Sequence, residues 1–260
     1  MPRRATLLSV FLTLLAAGAV RADTGRLTYP AQDNLDLKAG TLECWVKLGF
    51  DPEEMISARE YRGLATLFAL KAEKGGLNVL MFSGAMFKDT YGWSCSIGGE
   101  GKPLPFAARC RPWKQDEWHH IALVWDGQKM MLYLDGKKAS ERVQPVTLET
   151  SFGRMTEEPI RFGDKWGKRA KYVIDDLRLS AVARKPEELG FHGRLKPDPF
   201  TRILDGFEAD FAPDGKTRTK PEVMFSGEGG LPDKMCEFVE GKFGKGLAFY
   251  RVETGKGDAK

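Results

Sequence analysis

Apolar and polar positions alternate along this chain in short runs closed by glycine, and the pattern rarely reaches a helical period. The clearest stretch lies between Trp118 and Lys137. Its first run, Ile121-Ala122-Leu123-Val124-Trp125, has no polar member, which suits a strand covered on both faces. Its second ends in Leu132-Tyr133-Leu134. Each run closes in Asp-Gly (Asp126-Gly127, then Asp135-Gly136), and both residues tolerate the positive φ angles of tight hairpin turns. In Thr41-Leu42-Glu43-Cys44-Trp45-Val46-Lys47 the residues Leu42, Cys44 and Val46 share one face, while Glu43 and Lys47 flank Trp45 on the other. Residues 27–29, 64–70, 77–82, 91–97, 160–163 and 172–180 are further strand candidates. Residues 98–112, rich in glycine and proline, read as a surface loop. A helical start signal appears only near Lys185-Pro186-Glu187-Glu188, ahead of Gly190, and predicts one or two turns. Many short strands at regular spacing predict an all-β, antiparallel two-sheet sandwich.

The N-terminus changes the charge picture. Pro2-Arg3-Arg4, an apolar run from Ala5 to Val20 and then Val20-Arg21-Ala22 describe a secretory signal peptide over residues 1–22, cleaved after Ala22. The run is shorter than the ~20 residues that span a bilayer. Position 23 is Asp, not a lipidated cysteine. Removing this segment leaves 37 of the 40 basic residues against all 36 acidic ones, a net charge of +1. Such a balance gives no electrostatic reason to expect a nucleic-acid partner or a membrane surface. The expected location is secreted, periplasmic or cell-envelope. Four cysteines (Cys44, Cys95, Cys110, Cys236) permit disulfides in that setting. Cys95 and Cys110, flanking the Gly/Pro-rich loop, are the expected pair; Cys44 fits a small buried hydrophobe. Residues 193–199, with Lys196-Pro197-Asp198-Pro199, read as a linker.

Together these pieces resemble a known family. Gly40 to Lys47, Glu117 to Gly127, Leu132-Tyr133-Leu134-Asp135-Gly136-Lys137 and Ile174-Asp175-Asp176-Leu177-Arg178-Leu179 are similar to strands of laminin G-like jelly-roll domains in the concanavalin A-like lectin/glucanase superfamily. The resemblance implies a jelly-roll domain over residues 23–192. The tail, residues 200–260, also resembles this family: Ile203 to Phe211 and Glu240 to Tyr250 are similar to its opening strands. Either the tail starts a partial second unit or it supplies strands that complete the first. An unfinished sheet edge would also allow self-association by strand addition.

The resemblance raises three kinds of chemistry. Its glucanases carry Glu-x-Asp-x-x-Glu on one strand face, and retaining hydrolysis needs carboxylates about 5 Å apart. The nearest match here is Glu208-Ala209-Asp210, with Pro213 at the third position, so catalysis of that type is not expected. Many relatives hold a structural calcium; Asp175, Asp176, Asp205 and Asp210 are the candidate ligands, an oxygen set that suits the ion. The alternative is that Asp175 and Asp176 pair with Arg178 or Lys171. For sugar stacking the candidates are Trp93, Trp113, Trp166 and Tyr91, which lie in or beside loops, whereas Trp45, Trp118 and Trp125 are assigned to the core. His119 and His120 are adjacent on a strand, point to opposite faces and cannot easily share a metal. The expected function is a non-catalytic exported domain that binds carbohydrate or an extracellular protein. The alternatives are a structural accessory module without a small ligand and a divergent glycoside hydrolase.

Overall fold

The computed structural model describes residues 27–53, 65–72, 75–83, 91–98, 104–109, 113–143, 159–163, 172–208, 222–223 and 236–249. They form two antiparallel sheets facing one another in a concanavalin A-like jelly-roll sandwich. Strands are numbered β1–β15 in chain order. The seven-stranded sheet runs β13 (Glu222–Val223), β1 (Leu27–Tyr29), β10 (Ile160–Phe162), β3 (Ala65–Ala72), β4 (Gly75–Ser83), β5 (Tyr91–Gly98), β6 (Leu104–Arg109). The eight-stranded sheet runs β14 (Cys236–Glu240), β15 (Lys245–Phe249), β11 (Tyr172–Ser180), β2 (Gly40–Leu48), β7 (Trp118–Trp125), β8 (Lys129–Leu134), β9 (Lys137–Val143), with β12 (Thr201–Asp205) also on β11.

The alternation in β2 and β7 sets the layers. Leu42, Cys44 and Val46 of β2 join Ile121, Leu123 and Trp125 of β7 in the inter-sheet core. The opposite sheet contributes Tyr29, Phe68 and Phe162, whose rings meet edge to face. The two Asp-Gly steps turn as expected, with positive φ at Gly127, Asp135 and Gly136. Residues 104–109 depart from expectation: they form β6, not loop. β6 is an edge strand, where Pro105 can forgo a ladder hydrogen bond.

The tail strands are hydrogen-bonded into the sandwich. β15 pairs the first half of β11 (Tyr172↔Phe249 to Ile174↔Leu247), β12 pairs its second half (Leu177↔Asp205 onward), and β13 pairs β1. The register of β11 against β2 slips between Asp175 and Arg178, where the two tail strands meet it. Cys44 and Cys95 are buried free thiols, and Cys236 is buried; Cys110, the expected partner of Cys95, lies outside the described residues. So does the expected signal segment 1–22.

Candidate functional site

The outer face of the eight-stranded sheet is built by the positions of β2 and β7 that alternate with the core: Thr41↔Val124, Glu43↔Ala122, Trp45↔His120 and Lys47↔Trp118. Its two halves differ. A strap, residues 181–198, crosses the half at Thr41 and Glu43. Leu189 of the strap packs on Ala122, Val124, Met131 and Tyr133, with Phe191 alongside. The strap contains one 3-10 turn, Pro186–Glu188, in place of the one or two helical turns expected.

Beneath the strap lies a closed charge cluster. Glu43 Oε1 accepts from Arg178 Nε (2.8 Å) and Nη2 (2.6 Å), while Oε2 accepts from Gly190 N (2.9 Å) and faces His120 Nε2 at 3.2 Å. Burial acts to raise the Glu43 pKa. The His120 hydrogen bond and the Arg178 charge outweigh it and hold the carboxyl below its usual range. Arg178 donates in addition to Glu188 O and Lys196 O, so one guanidinium ties sheet to strap. Arg184 is likewise committed, to Ser180 Oγ and to the Asp198 carboxylate. Every charge in this cluster has a structural partner, which makes it an anchor for the strap.

The other half presents rings and ammonium groups. Lys242 Nζ lies 3.9 Å from the centre of the Trp45 ring, and Lys47 Nζ lies 5.1 Å from that of Trp118. Phe243 meets Trp45 edge to face at 5.9 Å. Lys47, Trp118, Lys242 and Phe243 are half-buried, and Trp45 is 7 % exposed. The Trp45 Nε1 proton is sheltered from solvent and has no acceptor among the described residues. The turn that carries Lys242 and Phe243 is fixed from below: both backbone N–H groups donate to Asp175 Oδ2, at 2.7 and 2.9 Å. An aromatic floor with flanking cations is chemically suited to stacking on a sugar ring and holding a polar or acidic substituent.

The expected calcium ligands do something else. Asp175 Oδ1 accepts from Asp176 N, and its Oδ2 holds the turn just described. Asp176 Oδ2 accepts from Leu195 N (2.7 Å), and Oδ1 lies 3.5 Å from Arg194 Nε. Asp205 accepts from Tyr29 Oη and Phe207 N. Asp210 lies outside the described residues. These oxygens are turned to N–H and O–H donors, and among the described residues no group of carboxylate, histidine or cysteine side chains converges as a cation would need. The described members of the set, Asp175, Asp176 and Asp205, do not fit calcium. Of the expected partners, Arg178 pairs with Glu43 and Lys171 lies outside the described residues; Asp176, at a φ of 46°, pairs with Arg194, which reaches Glu208 as well. These carboxylates pin the tail and the strap to β11.

The aromatics named from the sequence separate similarly. Trp93 (0 % exposed) and Trp113 (4 %) are core residues, packed edge to face at 5.9 Å, and present no ring to solvent. Tyr91 begins β5, and Trp166 lies outside the described residues. Trp125 is in the core as expected, whereas Trp45 and Trp118 stand on the outer face. His119 stacks on Trp113 at 4.1 Å and meets Asp135 Oδ2 at 2.9 Å, on the opposite side of the strand from His120. Asp135 also accepts from His120 N and is held below the usual carboxylate range: burial would raise it, but the His119 and His120 hydrogen bonds prevail. The sequence reading passed over Lys47, Lys242 and Phe243. The available signal was the side of β2 that Trp45 shares with Lys47.

Comparison with known proteins agrees with this architecture. A laminin G family model, described as the concanavalin A-like lectin/glucanases superfamily, matches residues 21–190. No curated protein matches the sequence. Among solved structures, a proposed carbohydrate-binding protein from Bacteroides ovatus ATCC 8483 superimposes with a TM-score of 0.50 at 10% identity, over 77% of this chain and 58% of that one. This chain therefore spans less than two thirds of that relative. The Ruminococcus gnavus IT-sialidase CBM40 gives 0.43 at 9% identity, over 64% of this chain and 91% of that one. The botulinum neurotoxin type G receptor binding domain gives 0.43 at 14%, over 58% and 36%. At such identities the likeness concerns the fold alone. On the family match and the two-sheet architecture, the chain belongs to the concanavalin A-like lectin/glucanases superfamily.

Proposed function

We propose that this protein is an exported, non-catalytic recognition domain that binds carbohydrate. The observation that carries the reading is the open half of the outer face, where Trp118 and Phe243 remain half-buried beside Lys47 and Lys242. Rings with an apolar face and nearby hydrogen-bonding groups are the chemistry a saccharide requires. The carbohydrate-binding description of the Bacteroides ovatus relative supports the same class of ligand. Export rests on the signal pattern of residues 1–22. The non-catalytic assignment is supported by Glu43, Asp175, Asp176 and Asp205, each committed to donors that hold the fold together.

A glycan array probed with protein beginning at Asp23 tests the reading. Saturable binding that is lost in Trp118→Ala is the expected result. A blank array with a well-folded sample would sink it and favour the structural accessory module. Release of reducing ends from a polysaccharide would instead restore the hydrolase alternative.

A further inference from the structure

We infer that Lys242 is the displaceable cover of an acidic-sugar subsite, with Trp45 as its floor and Lys47 over Trp118 as its second cation. The inference rests on the carbohydrate-recognition reading and narrows it to glycans rich in uronic acid.

The first observation is a contrast among cations. Arg178, Arg184 and Arg194 on this face are each engaged by a carboxylate. Lys47 and Lys242 lie over indole rings, with no carboxylate partner among the described residues. The second is the state of Trp45. Its ring is covered and its Nε1 donor is buried without an acceptor among the described residues, a condition that costs free energy until some oxygen is supplied. The third is mechanical. Asp175 holds the Lys242 backbone N–H, so the side chain can swing aside while the turn stays in place.

Together these describe an exchange. A sugar carboxylate offers the Lys242 ammonium a charge-assisted partner stronger than an aromatic face. When the ammonium leaves, the indole is open to the C–H face of the same sugar, walled on one side by Phe243. A ligand oxygen can then reach Trp45 Nε1. Lys47, two residues along the same face of β2, meets the next acidic group. A neutral sugar would displace Lys242 into water without offering it a counter-charge, so the arrangement favours the acidic ligand.

Titration of the full chain with oligogalacturonate, and with a neutral galacto-oligosaccharide of the same length, tests this by calorimetry and tryptophan fluorescence. The expected result is a preference for the acidic probe that weakens with salt. Lys242→Met and Lys47→Met should each reduce its affinity about tenfold, as expected for loss of one charge-assisted contact. Lys242→Met should also change the tryptophan emission of the unliganded protein. Circular dichroism and melting temperature confirm that both variants are folded. If either saccharide binds but both lysine variants bind equally well, the subsite is overturned and carbohydrate recognition stands, at another face. If neither these nor any arrayed glycan binds, both readings are overturned.

Discussion

Arg178 grips a single oxygen of Glu43 through two nitrogens, with the Arg178 side chain 6 % exposed and that of Glu43 fully buried. Because the guanidinium also holds two strap carbonyls, the pair joins three pieces of chain: β2, β11 and the strap. Removing one member of a buried pair leaves an uncompensated charge, which typically costs about 3–5 kcal/mol. Glu43→Gln should lower unfolding free energy by that order in urea denaturation. Glu43→Leu combined with Arg178→Met should cost less than the sum of the two single changes, because neither charge is then left alone.

Stability should peak in weakly acidic solution. Asp176 is pushed up to about 7, chiefly by burial, with Asp175 and Glu208 adding to the rise and Leu195 N and Arg194 opposing it. A carboxyl with a raised pKa binds its proton more tightly in the fold than in the unfolded chain. Its contribution is therefore full below about pH 4 and is lost as pH climbs to about 7, by at most about 4 kcal/mol. Glu43 and Asp135 are lowered, so their contributions hold above the ordinary carboxylate range and are lost as pH falls. Urea midpoints should accordingly drop between about pH 4 and about pH 7, and Asp176→Asn should flatten that drop. An unchanged slope in the variant would refute the assignment.

The turn that carries Lys242 should not tolerate a side chain at its exit. Gly244 has a φ of 122°, and a Cβ there would come 2.5 Å from a Glu208 carboxylate oxygen. Gly244→Ala should cost about 1–3 kcal/mol from backbone strain alone. Gly193, where nothing lies within 4 Å of an added Cβ, is the matched control: Gly193→Ala should leave the denaturation midpoint almost unmoved.

Trp93 and Trp113 should report on stability and leave binding untouched. Truncating a buried tryptophan to alanine costs about 3–5 kcal/mol. Trp93→Ala should show that loss in denaturation while the folded fraction keeps its glycan affinity. A selective loss of affinity would return Trp93 to the binding site.

The sequence made the eight-stranded sheet readable because its central strands obey strict alternation and its turns use Asp-Gly. Alternation also shows that Trp45 and Lys47 share a face. It does not show what lies over that face. Glu43 reads as a solvent-facing carboxylate, yet the strap, more than 130 residues away in sequence, buries it and supplies the Gly190 N–H. Trp93 reads as an aromatic beside a loop, although it shares an inward face of β5 with Cys95. Lys242 and Phe243 become interpretable only once β15 is placed beside β11. Strand-to-strand register across such distances is set by tertiary packing, which local composition does not encode.

β11 lies between β2 on one flank and β15 with β12 on the other. Its ladders to β2 and β15 join segments far apart in sequence, and β1 likewise waits for both β10 and β13. During synthesis β3, β4 and β5 can zip as consecutive hairpins, whereas β1 has no neighbour until β10 emerges and β11 gains its outer flank only when residues near Leu247 arrive. Contacts of this sequence separation place a domain among slow folders, on the order of milliseconds to seconds. The hairpins of both sheets can thus form early, while the flanks at β1 and β11 are closed only by strands that arrive late.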